Sequence, residues 1–243
     1  MERIDNIGFG NLQLLQDDGQ FCFGIDAVIL ADFACRHAQQ AGRVVDLCTG
    51  NGGVPLIMSH KNKSCSLTGI DVQEGAIGLA RRTAEMNGLG GRLSFLHADV
   101  KDLADRHPEM KMSSDLVTCN PPYVARQSGL TNERDSMFIA RHETTAGMED
   151  FIRAAAWLLD DKGHFCMVHR PSRLVDLIWY CRKYKLEPKD IRFVSPKEGA
   201  IPNILLLHCV KGGGKQLKYE PNLNVYNDDG SYTDEIEHIY ERA

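Results

Sequence analysis

The sequence predicts an α/β fold built on a doubly wound, mainly parallel sheet, and three observations predict it. Strand-like and helix-like stretches alternate from Val44 onward, the pattern of a parallel sheet with helices on both faces. The run "DLCTGNGG", Asp46 to Gly53, makes a glycine-rich turn between the first of those strands and its helix, where doubly wound folds take nucleotides. Acidic residues then recur at strand ends, at Asp46, Asp71 and Asp99.

Taken in order, "NLQLLQDDGQFCF" (Asn11 to Phe23) alternates around Asp17-Asp18-Gly19 and predicts an N-terminal β-hairpin. "GIDAVILADFACRHA" places Ile25, Val28, Ile29 and Phe33 at helical spacing. Val44, Val45 and Leu47 form a short buried strand, with a helix from Val54 to His60. "SLTGIDV" is a second strand, followed by a helix, "EGAIGLARRTAEMNGL", with Ile77, Leu79, Ala80, Ala84 and Met86 inward. "LSFLHADV" and "SDLVTCN" are the third and fourth strands. "EDFIRAAAWLLDDKG" is a helix capped by Gly163, and "HFCMVHR" the fifth strand. "SRLVDLIWYCRKYKL" opens with Ser172 as N-cap. "DIRFVSP" and "NILLLHCVKGGG" have no helix between them and predict an antiparallel pair at one edge. Beyond Tyr219 little is apolar until "TDEIEHIYERA", where Ile236, Ile239 and Tyr240 mark one face of a short acidic helix. The expected organisation is one domain: a hairpin and helix over residues 1–40, a core sheet over 41–212 and a C-terminal extension over 213–243. The stretch from Tyr123 to Met148 is a long polar loop, a length common in functional lids.

With 43% hydrophobic and 25% charged residues among 243, the chain suits a single α/β domain. No apolar run approaches the roughly 18–20 residues that span a bilayer, and "MERIDNIGFGNLQ" is no signal peptide. A soluble, cytoplasmic protein is expected, with a monomer favoured. The eight cysteines include no CxxC pair and most sit in apolar runs, so they predict buried free thiols. The nine histidines are scattered, His164 and His169 make no metal site by themselves, and no metal is expected. Net charge is −5, unevenly spread. Residues 151–219 carry 13 Lys/Arg against 6 Asp/Glu, while residues 220–243 carry 1 against 7. Such a basic block is either a phosphate-facing surface or the solvated faces of helices.

The glycine turn narrows the ligand. Gly50, Gly52 and Gly53 do not complete G-x-G-x-x-G, and a carboxylate at Asp46 is a poor neighbour for pyrophosphate but a good one for a cation. Asp71 lies where a carboxylate can accept both ribose hydroxyls of an adenosine. Asp99 can meet an adenine amine, with the Val100 N–H on the ring. An adenosine bearing a positive charge and no phosphate is S-adenosylmethionine. A lone acidic strand end is commonly a helix cap; three in series resemble the class I methyltransferases, over about residues 40–210. That Rossmann-like resemblance implies seven strands in the order 3-2-1-4-5-7-6. It implies cofactor contacts from Asp46, Cys48, Thr49, Gly50, Gly52, Asp71, Val72, Asp99 and Val100, although the family commonly has Gly where Cys48 stands.

After the fourth strand comes "NPPY", Asn120-Pro121-Pro122-Tyr123. Asn-Pro initiates turns anywhere. Here the stiff tip lies beside the place of a transferable methyl group. The lone pair of a conjugated amine is delocalised, so acceptors for both its N–H groups help it turn toward the methyl. The Asn120 oxygen and Pro121 carbonyl offer these, and Tyr123 can stack on a planar substrate. The motif resembles that of adenine-N6, rRNA guanine-N2 and release-factor glutamine-N5 methyltransferases, and by itself does not choose. "FCFGIDAVILADFA" and "EPNLNVYNDDGSYTDEIEHIY" resemble the ends of the bacterial tRNA(Val) adenine-37 N6-methyltransferase family. That resemblance implies that Phe23, Gly24 and Asp26 help close the cofactor site, Asp26 being otherwise a first-turn helix acid. It implies Asn120 beside both cofactor and base, and tRNA as partner. The basic region, about residues 126–218, is the expected tRNA surface: Arg126, Arg134 and Arg141 in the loop, then Arg170, Arg173, Arg182, Lys183 and Lys185. A glutamine N5-methyltransferase is the runner-up, and a non-catalytic RNA-binding scaffold the alternative of another class.

Overall fold

Strands buried on both faces need cover on both, and the structure supplies it; this computed structural model describes residues 1–17, 19, 23–123 and 146–242. The chain starts with β1 (Glu2–Asn6) and β2 (Gln13–Asp17), an antiparallel pair with Ile4 opposite Leu15. The hairpin therefore lies earlier than the sequence predicts. Its connection runs from Ile7 to Leu12 and uses Gly8 (φ 85°) and Gly10 (φ 53°), left-handed positions that suit glycine. Asp17 instead turns the chain locally, its Oδ1 accepting from the Gly19 N–H at 2.9 Å, a side-chain turn that mimics a hairpin signal. Asp18 and residues 20–22 lie outside the described residues.

The main strands are β3 (Arg43–Leu47), β4 (Ser66–Asp71), β5 (Leu93–His97), β6 (Ser114–Cys119), β7 (Leu159–His169), β8 (Leu186–Lys197) and β9 (Ile204–Lys211). Two short strands follow, β10 (Lys218–Tyr219) and β11 (Leu223–Tyr226). All nine form one sheet, in the order β10-β8-β9-β7-β6-β3-β4-β5, with β11 also on β8. The seven long strands thus run 3-2-1-4-5-7-6 in their own numbering. Only β9 is antiparallel to its neighbours, because the short link from β8 leaves no room for a crossover. The sequence did not foretell β10 and β11: Leu223 and Val225 alone are buried there, too short an alternation to register.

Alternate side chains of β3 and β6 feed two cores. Val44 and Leu116 pack with α1 (Ile25–His37), α2 (Gly53–Lys61) and α3 (Glu74–Met86). Val45, Leu47 and Val117 pack on the opposite face with α4 (Leu103–Arg106), α5 (Met148–Leu158) and α6 (Leu174–Lys183). Helix α7 (Asp234–Ile239) buries Ile236, Ile239 and Tyr240 in the first core, and the Thr233 hydroxyl caps it.

Three local expectations need correction. Met86 is 40% exposed, because α3 ends there and its buried stripe stops at Ala84. Helix α5 ends at Leu158 and Gly163 lies inside β7, where an added Cβ would come within 3.0 Å of the Asp160 carbonyl oxygen. Ser172 caps nothing: Pro171 opens a 3-10 turn over Pro171–Arg173, and α6 starts after it. Among the described residues no helix is long and apolar enough to cross a membrane. Seven described cysteines are free thiols, and burial pushes that of Cys35 up to about 12.

Gly69, in the middle of β4, has no space for a side chain. A Cβ there would lie 2.6 Å from Thr49 Oγ1 and 2.7 Å from Phe95 Cδ1. Gly69→Ala is expected to cost about 1–3 kcal/mol in denaturant unfolding, as overpacking does. An unchanged midpoint would show that the glycine turn yields freely.

Candidate active site

Parallel strands end on a common edge, so β3, β4 and β6 bring Asp46, Asp71 and Asn120 to one side of the sheet. The turn after β3 is held by backbone bonds: the Thr49 N–H donates to the Ile70 carbonyl at 3.1 Å, and the Gly50 N–H to Asp71 Oδ2 at 2.8 Å. Cys48 takes a left-handed conformation, φ 57°, which explains why glycine is common there in the proteins it resembles. Its half-buried side chain lies beside the Cys119 thiol, and desolvation pushes its own thiol well above the usual range. The glycines divide by role. A Cβ on Gly52 or Gly53 would strike the Phe95 ring (3.0 Å) or the Phe23 ring (2.8 Å), so these two allow close packing. A Cβ on Gly50 or Gly24 would meet nothing within 4 Å, so these two border open space.

The carboxylates also differ. Asp46 is 1% exposed; its Oδ1 accepts the Thr118 hydroxyl at 2.6 Å, and its Oδ2 has no partner among the described residues. The buried Thr49 hydroxyl has none there either. Burial pushes the Asp46 carboxyl up to about 7, against the downward pull of the Thr118 bond and of the neighbouring Thr49 hydroxyl, which lies near without completing a hydrogen bond. An unanswered buried acid beside open space is what a cationic ligand requires, so these residues fit a sulfonium-bearing adenosine. Asp71 is buried and accepts backbone N–H groups on both oxygens, from Gly50 and from Gln73 (2.9 Å). Asp99 turns the chain by accepting the Lys101 N–H at 2.9 Å, with Lys101 Nζ 3.4 Å away. The Val72 carbonyl accepts from His97 Nε2 at 2.9 Å, and Val100 packs into the core beneath.

Asn120 to Tyr123 extends from the end of β6, with Pro121 buried and the other three half-buried. The Tyr123 hydroxyl lies 2.7 Å from Asp26 Oδ2, in the first turn of α1, and 2.9 Å from Asn120 Oδ1. One phenolic proton cannot serve two acceptors. Donation to the charged Asp26 is the stronger bond, so the hydroxyl serves chiefly Asp26, and Asn120 Oδ1 keeps lone-pair capacity for another donor. Asp26 thus engages Tyr123 directly. Phe23 covers the start of α2, its N–H donating to Gln16 Oε1 at 2.7 Å.

Three neighbours were not singled out by sequence for this site. Thr118 is the one polar residue in the last turnless stretch of β6, a signal that apolar patterning passed over. His169 meets the Tyr123 ring edge-on at 5.4 Å, and the Arg170 guanidinium lies over that ring at 4.7 Å. Arg170, read from charge as tRNA surface, therefore covers one face of the Tyr123 ring, the ring expected to stack on substrate. Much of the remaining basic block is answered internally: Arg173 pairs with Asp176, Arg182 with Glu187 and Lys183 with Glu149. Lys185 sits in a left-handed turn after α6. Arg126, Arg134 and Arg141 lie outside the described residues.

A doubly wound sheet with this glycine turn, buried strand-end carboxylates and Asn-Pro-Pro-Tyr after β6 defines a Rossmann-like methyltransferase. The chain belongs to the methyltransferase small domain family, whose profile matches residues 12–175. A Pedobacter heparinus protein called tRNA1(Val) (adenine(37)-N6)-methyltransferase is 25% identical over 209 residues, 86% of this chain and 85% of its own. One of the same name from Dyadobacter fermentans is 23% identical over 233 residues, 95% of this chain and 92% of its own. Among solved structures, a predicted O-methyltransferase, protein Atu636 from Agrobacterium tumefaciens, matches with a TM-score of 0.72 at 22% identity, over 90% of this chain and 97% of its own. That likeness is one of fold.

The raised Asp46 carboxyl has a consequence for unliganded stability. Its folded value, about 7, exceeds its ordinary 3.8, so the folded chain keeps a proton that the unfolded chain has lost. That contribution is fully present below about 4, falls as pH rises and is gone above about 7. The parent should lose stability relative to Asp46→Asn across that window, by at most about 4 kcal/mol, and track it above. Parallel unfolding curves from pH 4 to 8 would show that Asp46 is not desolvated.

Proposed function

We propose that the protein transfers a methyl group from S-adenosylmethionine to the N6 amine of an adenine in tRNA, at position 37 beside the anticodon. The observation that carries this reading is the Asn120 side-chain amide at the end of β6, held through the Tyr123 hydroxyl to Asp26. The relatives' names supply the acceptor. When bound, S-adenosylmethionine supplies an electrophilic methyl on a positively charged sulfur. Asp46 and Thr49 would answer its charged end, with Cys48, Gly50 and Gly52 shaping the turn around it. Asp71 with Val72 would hold the ribose and Asp99 with Val100 the adenine, while Phe23, Gly24 and Asp26 close the site.

On the acceptor side, the Asn120 oxygen and the Pro121 carbonyl accept the two N–H groups of the amine. That arrangement lets the nitrogen leave its planar geometry and aim its lone pair at the methyl. Proline contributes no competing N–H, and Pro122 keeps the tip stiff. Tyr123 would stack on the base once Arg170 moves aside, and Arg170 is then free for a phosphate. Positioning and electrostatics carry the rate, with no separate strong base. A tRNA acceptor suits a cytoplasmic enzyme.

The test is transfer of labelled methyl from S-adenosylmethionine to tRNA without its own modifications, followed by digestion to nucleosides. Label in N6-methyladenosine is expected. Label in N2-methylguanosine, or only in protein, would replace the adenine reading with the guanine or glutamine one. Asn120→Ala should lower kcat by about 10²–10³-fold, the size of losing one aimed polar group, with cofactor affinity nearly kept. Asp26→Asn and Tyr123→Phe should each lower kcat by roughly 10-fold through misplacement of the same amide. Near-normal turnover of Asn120→Ala would refute the cradle.

A further inference from the structure

The last residue of β7, His169, takes no part in the cradle itself, yet packs against it. Register sets its place: Cys119 stands opposite Met167, so His169 lies level with the Asn120–Pro121 tip, one strand over. It is 4% exposed, and its ring meets the Tyr123 ring edge-on at 5.4 Å. The Tyr123 hydroxyl is fixed by Asp26 at 2.7 Å, but bonds at the hydroxyl leave the ring free to turn about its own long axis. A second ring against its side removes that freedom, as edge-to-face aromatic pairs do with centroids about 4.5–7 Å apart.

The ring nitrogens decide what His169 can do. Nδ1 accepts the Arg170 backbone N–H at 2.8 Å, so the neutral ring carries its proton on Nε2. Burial pushes its pKa down to about 4, the Arg173 and Arg170 guanidiniums push the same way, and Asp176 opposes them. The imidazole is therefore neutral at pH 7, with one nitrogen engaged and the other protonated. No lone pair remains to take the proton that a methylated amine loses, so what the ring supplies is geometry. The same bond serves Arg170. Pro171 restricts the residue before it to extended backbone, and Arg170 has φ −80° and ψ 139°. With its N–H also pinned to His169, Arg170 sends its guanidinium over the Tyr123 ring at 4.7 Å and donates to the Asn203 carbonyl at 3.0 Å.

We propose that His169 is a positioning residue of the candidate active site: its ring sets the plane of Tyr123, and its Nδ1 anchors the backbone from which Arg170 reaches over that ring. The two duties are separable by chemistry. His169→Asn places a carbonyl oxygen where Nδ1 stands, which keeps an acceptor for Arg170 and loses the ring. His169→Phe keeps a flat ring against Tyr123 and loses the acceptor. The placement of Tyr123 is independent of the methyl acceptor, while its consequences for turnover rest on the adenine reading proposed above.

Two measurements on the whole chain need no acceptor. In the unmodified chain, long-range nitrogen–proton NMR should show His169 protonated on Nε2 alone from about pH 5.5 to 8. A ring that titrates near its ordinary 6.5 would overturn the proposal, and this readout needs no variant to fold. With carbon-13 tyrosine, the Tyr123 ring signal, assigned by its loss in Tyr123→Phe, should shift in His169→Asn and stay near its place in His169→Phe. An unmoved signal in His169→Asn would overturn the proposal. In labelled-methyl transfer to tRNA, His169→Asn should lower kcat by about 10-fold, as a displaced cradle does. His169→Phe should act chiefly on KM for tRNA, with the salt slope of binding reduced by about 0.7, one phosphate contact. The opposite split would overturn the two duties. A shifted Tyr123 signal in His169→Asn, with no tRNA methylated by the unmodified chain, would keep the role of His169 and remove the adenine reading instead.

Discussion

The register of the parallel strands is the constraint on which the rest depends. Gly69, Asp46, Thr118, Cys166, His208 and Asp190 stand side by side on one row across β4, β3, β6, β7, β9 and β8. In that row Asp46 has a residue without a side chain on one side and a hydroxyl donor on the other. The hydroxyl satisfies one carboxylate oxygen, and a hydrogen bond to a charged group contributes about 1.5–3 kcal/mol. It does not fully offset desolvation, because the acid remains displaced upward. The empty space over Gly69 is taken by Thr49 and Phe95, which fixes the glycine turn above Asp46. A slip of one residue in β3 would turn Asp46 to the other face and dismantle turn and acid together.

The same row explains the separation of His208, which bonds Asp190 and His164, from the methyl-transfer site. Three strand spacings, roughly 14 Å, lie between Asp46 and His208. Both face the side of the sheet covered by α1, whose first turn holds Asp26 and whose last turn holds His37. One helix therefore braces both groups of polar residues, and its orientation is set by the apolar stripe of Val28, Ile29 and Phe33 between them.

What the sequence revealed follows from which interactions are local. Helix α1, the glycine turn and the strand-end acids were legible because periodicity and turn chemistry act within a few residues. The misread hairpin has the same origin: Asp17-Asp18-Gly19 does turn the chain, but pairing is decided by what lies across from β2, and β1 answers it. Gly163 shows the limit for glycine, since its need is close approach to Asp160 inside a strand, not a helix end. The bond from Tyr123 to Asp26 spans 97 residues, and the His37–Glu220 contact spans 183; no spacing rule reaches that far. Charge counting was least informative, because a tally of charges does not show which carboxylates lie beside Arg173, Arg182 and Lys183.

Arg170 over Tyr123 shows how a binding face can be kept ready at low cost. A cation over an aromatic ring contributes about 0.5–1 kcal/mol when exposed and about 2 when desolvated. A base stacked on the same ring contributes about 1–3 kcal/mol. The exchange of guanidinium for adenine is therefore close to balanced on the ring alone, and displacement costs the substrate little. What tips it is the released charge: among the described residues the Arg170 side chain otherwise holds only the Asn203 carbonyl, so on leaving Tyr123 it can meet a phosphate on the same nucleic acid. A peptide substrate would displace the same arginine without giving it a phosphate to meet. That asymmetry favours a nucleic-acid acceptor on physical grounds independent of any relative's name.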